Sequence, residues 1–359
     1  MDSSGLDWRR FVAQPDSDTP NSRCFFRHAG HCVLITGAGG SIGSALARAL
    51  AGARVERLLL LDSSEISLFE LQGQIASACP GASFEIVLGS VDDAGLLDWI
   101  LSRHHVDVIY HAAAWKQVGL LESNPFSAVR NNGVGTYTLA QAAIRGGVGK
   151  LVLVSTDKAV NPHSIMGASK RIAELVVASL SSAACRMNAI RLCNVIGSSG
   201  SVVPIFLRQI ERREPVTVTD PQVTRWFLTI GQTVEAILAC GASAEEGKIL
   251  LPPVGEPVRI ADLARFLIHK AGNGWPGELA YIGLRPGEKL TEELMFERER
   301  KMRMDKCLTV LETPSLDAGE LGALISELTN RIKLFDLPGM LRAIQSVVPE
   351  YVPGGQLGR

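Results

Sequence analysis

The sequence predicts an α/β protein built on a doubly wound parallel sheet, with a smaller C-terminal lobe. Short apolar runs alternate with amphipathic stretches from His31 onward, which is the order strand, helix, strand. The apolar runs lack the every-second-residue polarity of a strand with one wet face, so both faces of the sheet should be covered. After residue 194, glycines and proline-containing turns become frequent and the alternation is less regular, which indicates the smaller lobe.

Each element of this alternation follows from its own composition. The strands are short apolar or β-branched runs, predicted at 32–36, 57–61, 83–88, 106–111, 150–155 and 187–192. The helices have apolar residues at helical spacing, predicted at 41–51, 66–78, 96–103, 126–146, 169–180 and 321–332. The predicted domains are a lead-in of uncertain order at 1–30, the sheet domain at 31–195, and a lobe with C-terminal helices at 196–359, parts of which return to the sheet domain.

The composition argues against several classes of partner. The 36 basic and 37 acidic residues give a net charge of −1, which offers no electrostatic surface for nucleic acid or an anionic membrane. No apolar run approaches the about 20 residues that cross a bilayer, and the N-terminus lacks the pattern of a signal peptide. The seven cysteines form no CxxC pair and have no zinc-type spacing with histidine, so no metal site is expected. We therefore expect a soluble, cytoplasmic protein with reduced thiols.

A glycine cluster after the first strand predicts a dinucleotide site. Gly37, Gly40 and Gly43 would allow, in turn, a tight turn, close approach of the backbone to a pyrophosphate, and close packing of helix on strand. The helix that begins near Ser41 would direct its free N–H groups and its dipole at the anion. Asp62 ends the second strand, where a carboxylate accepts hydrogen bonds from the adenosine ribose and repels the 2′-phosphate of NADP. This arrangement is typical of a Rossmann-type domain, and the expected cofactor is NAD.

Other positions near the strand ends are candidates for contact with the cofactor. Ser90 and Val91 follow the third strand, where a loop can border the adenine ring, although a plain connecting loop is an equal alternative. Ala112 and Ala113 follow the fourth strand, where small side chains would let the backbone approach the cofactor or would simply pack. Ile42, which lies inside the glycine motif, completes this set.

Polar side chains at the end of the fifth strand are candidates for chemistry. Thr156, Asp157 and Lys158 leave a buried strand, where polar groups are costly unless used, and ligands bind outside the carboxyl ends of parallel strands. Asp157 and Lys158 offer an acid and a base in one place, although an ion pair or a turn would also explain them. Met166 and Lys170 lie one helical turn apart, so a helix would place both on one face.

Several stretches of this sequence resemble those of a known family. The stretches concerned are 36–43, 62–65, 111–125, 155–170, 194–204, 215–230 and 285–289. They are similar to the bacterial polysaccharide-biosynthesis proteins of the CapD type, which include UDP-N-acetylglucosamine 4,6-dehydratases and belong to the extended short-chain dehydrogenases. The resemblance covers roughly residues 31–300 and adds Ser63 to the predicted cofactor contacts. It also places Met166 where most short-chain dehydrogenases have tyrosine, as in a large subgroup of this family.

The resemblance implies a reaction and a role for each residue. A hydride leaves C4 of the sugar for NAD, Lys158 removes the C5 proton, Asp157 protonates the departing C6 hydroxyl, and the hydride returns to C6. The product is a UDP-4-keto-6-deoxy-N-acetylhexosamine. Thr156 would hydrogen-bond the C4 oxygen, and Lys170 would hold the nicotinamide ribose. Because Met166 cannot exchange a proton, the base for the C4 hydroxyl is open, with Asp157 or a water near Lys170 as candidates. Lys158 can act as a base only if the cofactor and neighbouring groups lower its pKa.

Substrate contacts are implied by the same resemblance. Asn194, Arg225 and Arg285 would lie near the nucleotide sugar, where paired guanidinium donors suit a diphosphate, although surface salt bridges are the alternative for the arginines. Lys116 matches a family lysine near the active site. Several positions depart from the family's usual residues and leave the identity of the sugar open: Ser90, Trp115, Gln117, Gly119, Cys193, Asp220 and Trp226.

Three functions follow from these observations. The first is NAD-dependent 4,6-dehydration of a UDP-N-acetylhexosamine, with UDP-N-acetylglucosamine as first candidate, for glycan or secondary-metabolite synthesis. The second is a C4 epimerase or oxidoreductase for a nucleotide sugar, which needs no acid–base pair at the C6 hydroxyl. The third is a non-catalytic NAD-binding regulator, which Met166 favours and the retained Asp157 and Lys158 oppose. We also expect a homo-oligomer, with the helix at 321–332 either packed on the core or joining subunits.

Overall fold

The computed structural model describes residues 8, 11, 28–53, 55–304, 308–354 and 357, and every structural statement below concerns these residues. The strands, in chain order, are β1 (Cys32–Thr36), β2 (Arg57–Asp62), β3 (Phe84–Leu88), β4 (Val108–His111), β5 (Lys150–Thr156), β6 (Arg186–Leu192), β7 (Asn194–Val195), β8 (Val216–Val218), β9 (Thr224–Arg225), β10 (Phe227–Leu228), β11 (Ile249–Leu251), β12 (Val258–Arg259), β13 (Leu279–Tyr281), β14 (Arg300–Met304) and β15 (Thr309–Glu312). The α-helices, in chain order, are α1 (Ser41–Ala51), α2 (Glu65–Ala78), α3 (Ala94–Arg103), α4 (Val118–Glu122), α5 (Pro125–Ala128), α6 (Gly135–Arg145), α7 (Ile165–Leu180), α8 (Val202–Glu211), α9 (Ile230–Ala242), α10 (Ile260–Ala271), α11 (Ala318–Lys333) and α12 (Leu337–Val347).

In the described part of the chain, nine strands form one central sheet in the order β14-β15-β11-β6-β5-β4-β1-β2-β3. The strands from β3 to β11 along this order pair in parallel, whereas β15 and β14 close the edge in antiparallel fashion. The order 3-2-1-4-5-6 is that of the doubly wound dinucleotide-binding fold. The predicted α/β class with a doubly wound parallel sheet is therefore confirmed.

The central strands are apolar throughout because their side chains alternate between two cores. In β1, Leu34 packs into one core, whereas Val33 and Ile35 pack into the other. Side chains of α3, α6, α7, α11 and α12 complete the first core, and those of α1, α2 and α9 complete the second. A sheet covered on both faces leaves no strand side chain for water, which is why the runs lack polar alternation.

The helix predicted at 126–146 is interrupted. It runs as α5, a π-helical turn at Val129–Val134, and α6, so the prediction was right about helical content and wrong about a continuous α-helix. The π-helical turn directs the Asn132 side chain into the core. There its oxygen accepts a hydrogen bond from the backbone N–H of Trp115, and its nitrogen donates hydrogen bonds to the Trp115 carbonyl and to the Ser169 hydroxyl. Single π-helical turns often serve to redirect one side chain in this way.

The helix predicted to begin at residue 169 begins earlier, at Ile165. The Ser164 hydroxyl caps it by accepting a hydrogen bond from the Gly167 backbone at 3.1 Å, which satisfies a donor of the first turn. The sequence reasoning overlooked this cap. The earlier start places Met166 and Lys170 within one helix, one turn apart, as their spacing predicts.

A third core forms the smaller lobe around α8 and α10, with Phe206, Phe227 and Leu267 at its centre. The lead-in at 1–30 lies mostly outside the described residues, but Trp8 and Phe11 are described and buried in this core. Their ring centroids lie 6.3 and 4.8 Å from that of Phe266.

The C-terminal helices pack on the sheet domain. The predicted helix at 321–332 is confirmed as α11, which packs on α7 and on the π-helical turn. Together with α12 it contributes to the first core. None of the described helices combines the length and apolarity needed to cross a bilayer.

A buried network of charges joins β6, α7 and the segment before β14. Arg191 donates to Glu174 at 3.0 and 2.8 Å and to Glu299 at 2.9 and 3.0 Å. Glu174 also accepts from Arg171 at 2.9 Å and from the Ser155 hydroxyl at 2.7 Å. Burial alone would raise the pKa of Glu174, but Arg191 and Arg171 lower it to about 2, so the carboxylate stays charged.

Removing Arg191 should destabilise the fold strongly, because Glu174 and Glu299 would keep buried charges with fewer partners. Arg191→Met is expected to lower the free energy of unfolding by about 3–5 kcal/mol, measured by urea unfolding. The matched control is Arg259→Met, since Arg259 is exposed and forms an ion pair with Asp262, three residues later in the chain. That variant should lose at most about 1 kcal/mol, and equal losses in the two variants would contradict the argument.

Candidate active site

The glycine turn after β1 forms a backbone cradle at the sheet's carboxyl edge. Gly37 has a φ of +69°, and a Cβ there would lie 2.5 Å from the backbone nitrogen of Ala113. A Cβ on Gly43 would lie 2.1 Å from the carbonyl oxygen of Gly37. Gly40 is exposed at the rim, immediately before Ser41 begins α1. Only glycine fits at Gly37 and Gly43, and the open rim can admit an anion to the helix N-terminus.

The Asp62 carboxylate lies beside this cradle at the end of β2. It accepts hydrogen bonds from the backbone N–H groups of Gly39 and Ser64, both at 2.9 Å. The side chain is half-buried, and the adjacent Ser63 is exposed. The two backbone donors therefore fix the carboxylate in place while part of it remains open to a ligand.

The remaining candidates for cofactor contact differ in whether they face the cleft or are buried in the core. Ile42 and Ala112 line the main cleft, and the backbone of Ala113 meets Gly37. Ser90 is half-buried after β3, whereas the Val91 side chain is buried and packs in the first core. The Val91 side chain thus belongs to the core.

Neutral His111 locks the ends of β1 and β4 together. The Thr136 hydroxyl donates to the Asn132 carbonyl, so His111 Nε2 must donate to Thr136 at 2.9 Å, and Nδ1 accepts from the Thr36 hydroxyl at 2.7 Å. Burial, followed by the charge of Lys170, lowers the pKa of His111 to about 3. The uncharged ring holds the strand ends that carry the glycine turn and Ala112.

A cleft of about 430 Å³ lies beyond the carboxyl ends of β4, β5 and β6 and reaches the smaller lobe. It brings together most of the residues that the sequence assigned to catalysis and substrate binding. Those that line it are Lys116, Thr156, Lys158, Met166, Lys170, Asn194, Arg225 and Arg285. Asp157 is fully buried directly behind this wall.

Asp157 and Lys158 form a hydrogen-bonded ion pair at the end of β5. Lys158 Nζ donates to Asp157 Oδ1 at 2.9 Å and to Asn194 Oδ1 at 3.0 Å. The Thr156 hydroxyl donates to the same Asp157 oxygen at 2.9 Å. Both groups that contact Asp157 face the cleft, so a proton held by the carboxyl can reach the cleft through either of them.

The surroundings of Lys158 hold it in the charged form. Burial alone would lower its pKa, but the negative charges of Asp157 and Glu292 outweigh burial and raise it above the ordinary value. The side chains around Lys158 therefore do not supply the lowering of its pKa that a base requires. The reason is that Lys158 Nζ lies 3.8 Å from Glu292 Oε1 in addition to its contact with Asp157.

The pKa of Lys170 is shifted in the opposite direction to that of Lys158. Its Nζ donates to the Val154 carbonyl at 2.8 Å, and burial lowers its pKa to about 8. Met166, one turn earlier in α7, is 3% exposed and forms an apolar wall of the cleft. The position that carries tyrosine in most short-chain dehydrogenases thus offers no group for proton transfer.

The two arginines expected to bind a diphosphate occupy different settings. The Arg225 guanidinium is buried and donates to the carbonyls of Thr224, Lys289 and Leu290 and to Glu288. It therefore clamps the loop at 288–290. Arg285 is exposed at the mouth of the cleft.

Lys116 and Asn194 also line the cleft. Lys116 Nζ lies 3.4 Å from the Ser198 hydroxyl, whereas the Asn194 side chain is committed to Lys158. Asn194 is therefore tied to the polar cluster at the end of β5.

Sequence reasoning missed the acidic side of the cleft. Glu288 and Glu292 line it from the loop that follows Arg285, and Lys289 donates to the Val160 carbonyl at 2.8 Å. The signal was a run of alternating charges after 285 in a stretch without helical periodicity, since charges in such a loop often face a site.

A family model described as polysaccharide biosynthesis protein matches residues 33–312 of this chain. The chain belongs to the polysaccharide biosynthesis protein family. It is 41% identical over 271 residues to the capsular polysaccharide biosynthesis protein CapD of Staphylococcus aureus, which covers 74% of this chain and 45% of CapD. The CapD-type resemblance is confirmed, and the chain spans less than half of the length of that relative.

Further similarities of this chain are to a protein named as an epimerase and to two solved structures. It is 33% identical to a UDP-glucose 4-epimerase of Rickettsia canadensis, over 74% of this chain and 78% of that protein. Among solved structures, Pen from Bacillus thuringiensis has a TM-score of 0.75 and 28% identity, covering 80% of this chain and 89% of Pen. A double mutant of DesIV, a dTDP-glucose 4,6-dehydratase from Streptomyces venezuelae with NAD bound, has a TM-score of 0.65 and 25% identity, covering 73% and 88%.

The lowered pKa of Lys170 predicts a pH-dependent contribution to stability. The folded chain holds this pKa at about 8, below the ordinary 10.5 that applies after unfolding. Between these values the unfolded chain binds more protons, so this contribution to the free energy of unfolding rises with pH. Between about pH 7.5 and 9.5, the free energy of unfolding of the wild type should rise by about 2 kcal/mol relative to that of Lys170→Met. Urea unfolding at each pH measures this difference. Lys270→Met, on an exposed lysine, should run parallel to wild type, and parallel curves for Lys170→Met would contradict the prediction.

Proposed function

We propose that the chain is an NAD-dependent 4,6-dehydratase acting on a UDP-N-acetylhexosamine, with UDP-N-acetylglucosamine as first candidate. The observation that carries the proposal is the Lys158 ammonium, which faces the cleft and is hydrogen-bonded to Asp157 and Asn194. Removing a C5 proton and expelling the C6 hydroxyl as water requires one group to accept a proton and another to donate one. The lysine–aspartate pair at the end of β5 supplies both.

NAD is the cofactor that the cradle fits best. Gly37 and Gly43 must be glycine because a Cβ at either position would clash with backbone atoms. The turn therefore presents backbone without side chains to a pyrophosphate, and Asp62 is fixed where a ribose would lie. A 2′-phosphate would meet the Asp62 carboxylate, which favours NAD over NADP. When bound, NAD would accept a hydride from the sugar and return it. Lys170, buried beside this part of the cleft, is the residue we assign to the nicotinamide ribose.

The charge of the cleft suits a nucleoside diphosphate. Among described residues, six basic side chains line it, namely Lys116, Lys158, Lys170, Arg225, Arg285 and Lys289. The acidic side chains in its lining are Glu288 and Glu292. The chain as a whole has a net charge of −1, so this excess of positive charge is local. We assign the exposed Arg285 to the diphosphate, and Arg225 to holding the loop beside it.

In this proposal the chain's own groups move the protons. Lys158 takes the C5 proton as a neutral amine, after it has given a proton to Asp157 along their 2.9 Å hydrogen bond or to solvent. Asp157, protonated by Lys158 or by the C4 hydroxyl, delivers its proton toward the C6 hydroxyl through the Thr156 hydroxyl, which it contacts. Thr156 also orients the C4 oxygen. The C4 hydroxyl proton goes to Asp157 or to a water near Lys170, because Met166 offers no acceptor.

A nucleotide-sugar C4 epimerase is the second candidate, and the 33% identity to a protein named UDP-glucose 4-epimerase favours it. Epimerisation oxidises and re-reduces C4 without eliminating the C6 hydroxyl. It therefore does not need the Asp157–Lys158 pair to move protons at C5 and C6. Mass spectrometry of the purified protein with UDP-N-acetylglucosamine separates the two functions. Loss of one water supports dehydration, and a C4 epimer of unchanged mass supports epimerisation. A bound NAD with no change in any UDP-sugar would support a non-catalytic NAD-binding protein.

Lys158→Met should abolish water loss while sparing ligand binding. General acid–base groups contribute about 10²- to 10⁴-fold to rate, so turnover and C5 exchange in deuterated water should fall by at least about 100-fold. Binding of UDP-N-acetylglucosamine, measured by calorimetry, should change little. The control is Lys248→Met, since Lys248 pairs with Glu312 at the sheet edge and lies outside the cleft lining. Persistent C5 exchange in Lys158→Met would overturn the assignment of the base.

Asp62→Ala should weaken NAD and relieve the exclusion of NADP. Losing the hydrogen bonds of a charged acceptor to the ribose is expected to weaken NAD binding by about 10-fold. NADP affinity should rise in the same variant, because the repelling carboxylate is gone. Calorimetric titration with both dinucleotides measures this ratio, with the exposed Asp98→Ala as control. An unchanged preference would show that Asp62 does not select the cofactor.

A further inference from the structure

Glu292 is a buried acid of the cleft to which the proposed reaction gives no role. It lies in the loop between Lys289 and Phe296, is 4% exposed, and lines the same cleft as Lys158. Its Oε2 is buried and has no hydrogen-bond partner among the described residues. A buried carboxylate without a full set of partners is costly, so its position calls for an account.

Two cations flank the other oxygen of this carboxylate at similar distances. Glu292 Oε1 lies 3.8 Å from Lys158 Nζ and 3.9 Å from Arg225 Nε. Both distances are longer than a hydrogen bond, so the interaction with each cation is mainly Coulombic. Arg225 is already committed to the loop carbonyls and to Glu288. The charge of Glu292 therefore acts on both cations, and Lys158 is the one of the two that is assigned to proton transfer.

Lys158 has hydrogen-bonding capacity to spare. An ammonium has three donors, of which one is used by Asp157 and one by Asn194. Glu292 is the second carboxylate within ion-pair distance, so the ammonium lies between two negative charges from different parts of the chain.

We infer that Glu292 is a positioning residue for Lys158: with Asp157 it holds the lysine in its charged form and so sets the pH above which Lys158 acts as a base. The inference rests on the proposed role of Lys158 as the base. Its physical content, the charge state of Lys158, can be measured without any turnover.

The other groups facing Lys158 do not replace this effect. Arg225, Lys116 and Lys289 are cations and oppose the charged form of Lys158, and Cys193, beside Asp157 and Lys158, has a pKa raised first by burial, so it stays a neutral thiol. Without the Glu292 charge, Asp157 alone would offset three cations and burial. The pKa of Lys158, now raised, should then fall, and the neutral base should appear at lower pH.

Competitive labelling with trace acetic anhydride tests this directly on the full chain. The extent of acetylation of Lys158, followed by peptide mass spectrometry across pH without added sugar, gives the midpoint at which the amine becomes neutral. Glu292→Gln keeps the shape and removes the charge, so the midpoint should fall by about 1 pH unit or more. The matched control is Glu293→Gln, the neighbouring exposed acid that pairs with the Asn161 side chain, and its midpoint should match wild type.

Glu292→Asp serves as the conservative variant. It keeps the charge but draws it back by one methylene, so its midpoint should lie between wild type and Glu292→Gln, and it decides the matter if the glutamine variant does not fold. Equal midpoints in wild type and the Glu292 variants would overturn the inference, as would an equal shift in Glu293→Gln.

A second measurement separates this inference from the proposed function. The acid limb of the pH profile for C5 deuterium exchange should move down with the labelling midpoint in Glu292→Gln. If the midpoint moves but wild type exchanges no proton with any UDP-N-acetylhexosamine, the electrostatic role stands and the dehydratase proposal fails. If wild type dehydrates the sugar and the midpoint does not move, the dehydratase stands and the role of Glu292 is overturned.

Discussion

The salt bridges of Arg191 fix the frame on which the cleft depends. Charges cost several kcal/mol to bury unless they are paired and hydrogen-bonded, and Arg191, Glu174 and Glu299 are at most 3% exposed. They come from β6, α7 and the segment before β14, so none of these elements can shift without leaving an unpaired charge in the core. A core held only by apolar contacts would tolerate small slips, whereas bidentate pairs fix both distance and direction.

The same network determines where the polar groups of the cleft lie. Ser155 donates to Glu174, and the next residue of β5 is Thr156, which contacts Asp157. At the other end, Glu299 belongs to the segment that follows Glu292. The distance between Lys158 and the second carboxylate is therefore set by the buried charges and by the Arg225 clamp on loop 288–290.

The parts of the site that the sequence predicts are those built from neighbouring residues. The glycine turn, Asp62 at a strand end, and the polar group after β5 are each recognisable within one strand and its loop. Glu292 was not predictable in this way, since its cationic neighbour Lys158 lies far away along the chain. Arg191 carried a signal, because an arginine inside the apolar strand at 187–192 must have a buried partner. Which acid it pairs with depends on tertiary packing, so the sequence could not name it. For Arg225, the resemblance implied binding of the substrate's diphosphate. In the structure, its guanidinium donates to nearby backbone carbonyls instead.

The two lysines of the cleft divide it into a dry side and a charged side. Lys170 lies beside Met166, and burial lowers its pKa to about 8, whereas Lys158 lies between two carboxylates that raise its pKa. The methionine therefore removes a proton carrier from the side where a hydride would be exchanged and leaves that side apolar. The ionisable side chains concentrate at the end of β5, where Lys158 lies within ion-pair distance of both Asp157 and Glu292. In the proposed dehydration, the groups assigned to the C5 and C6 protons therefore belong to the charged side of the cleft.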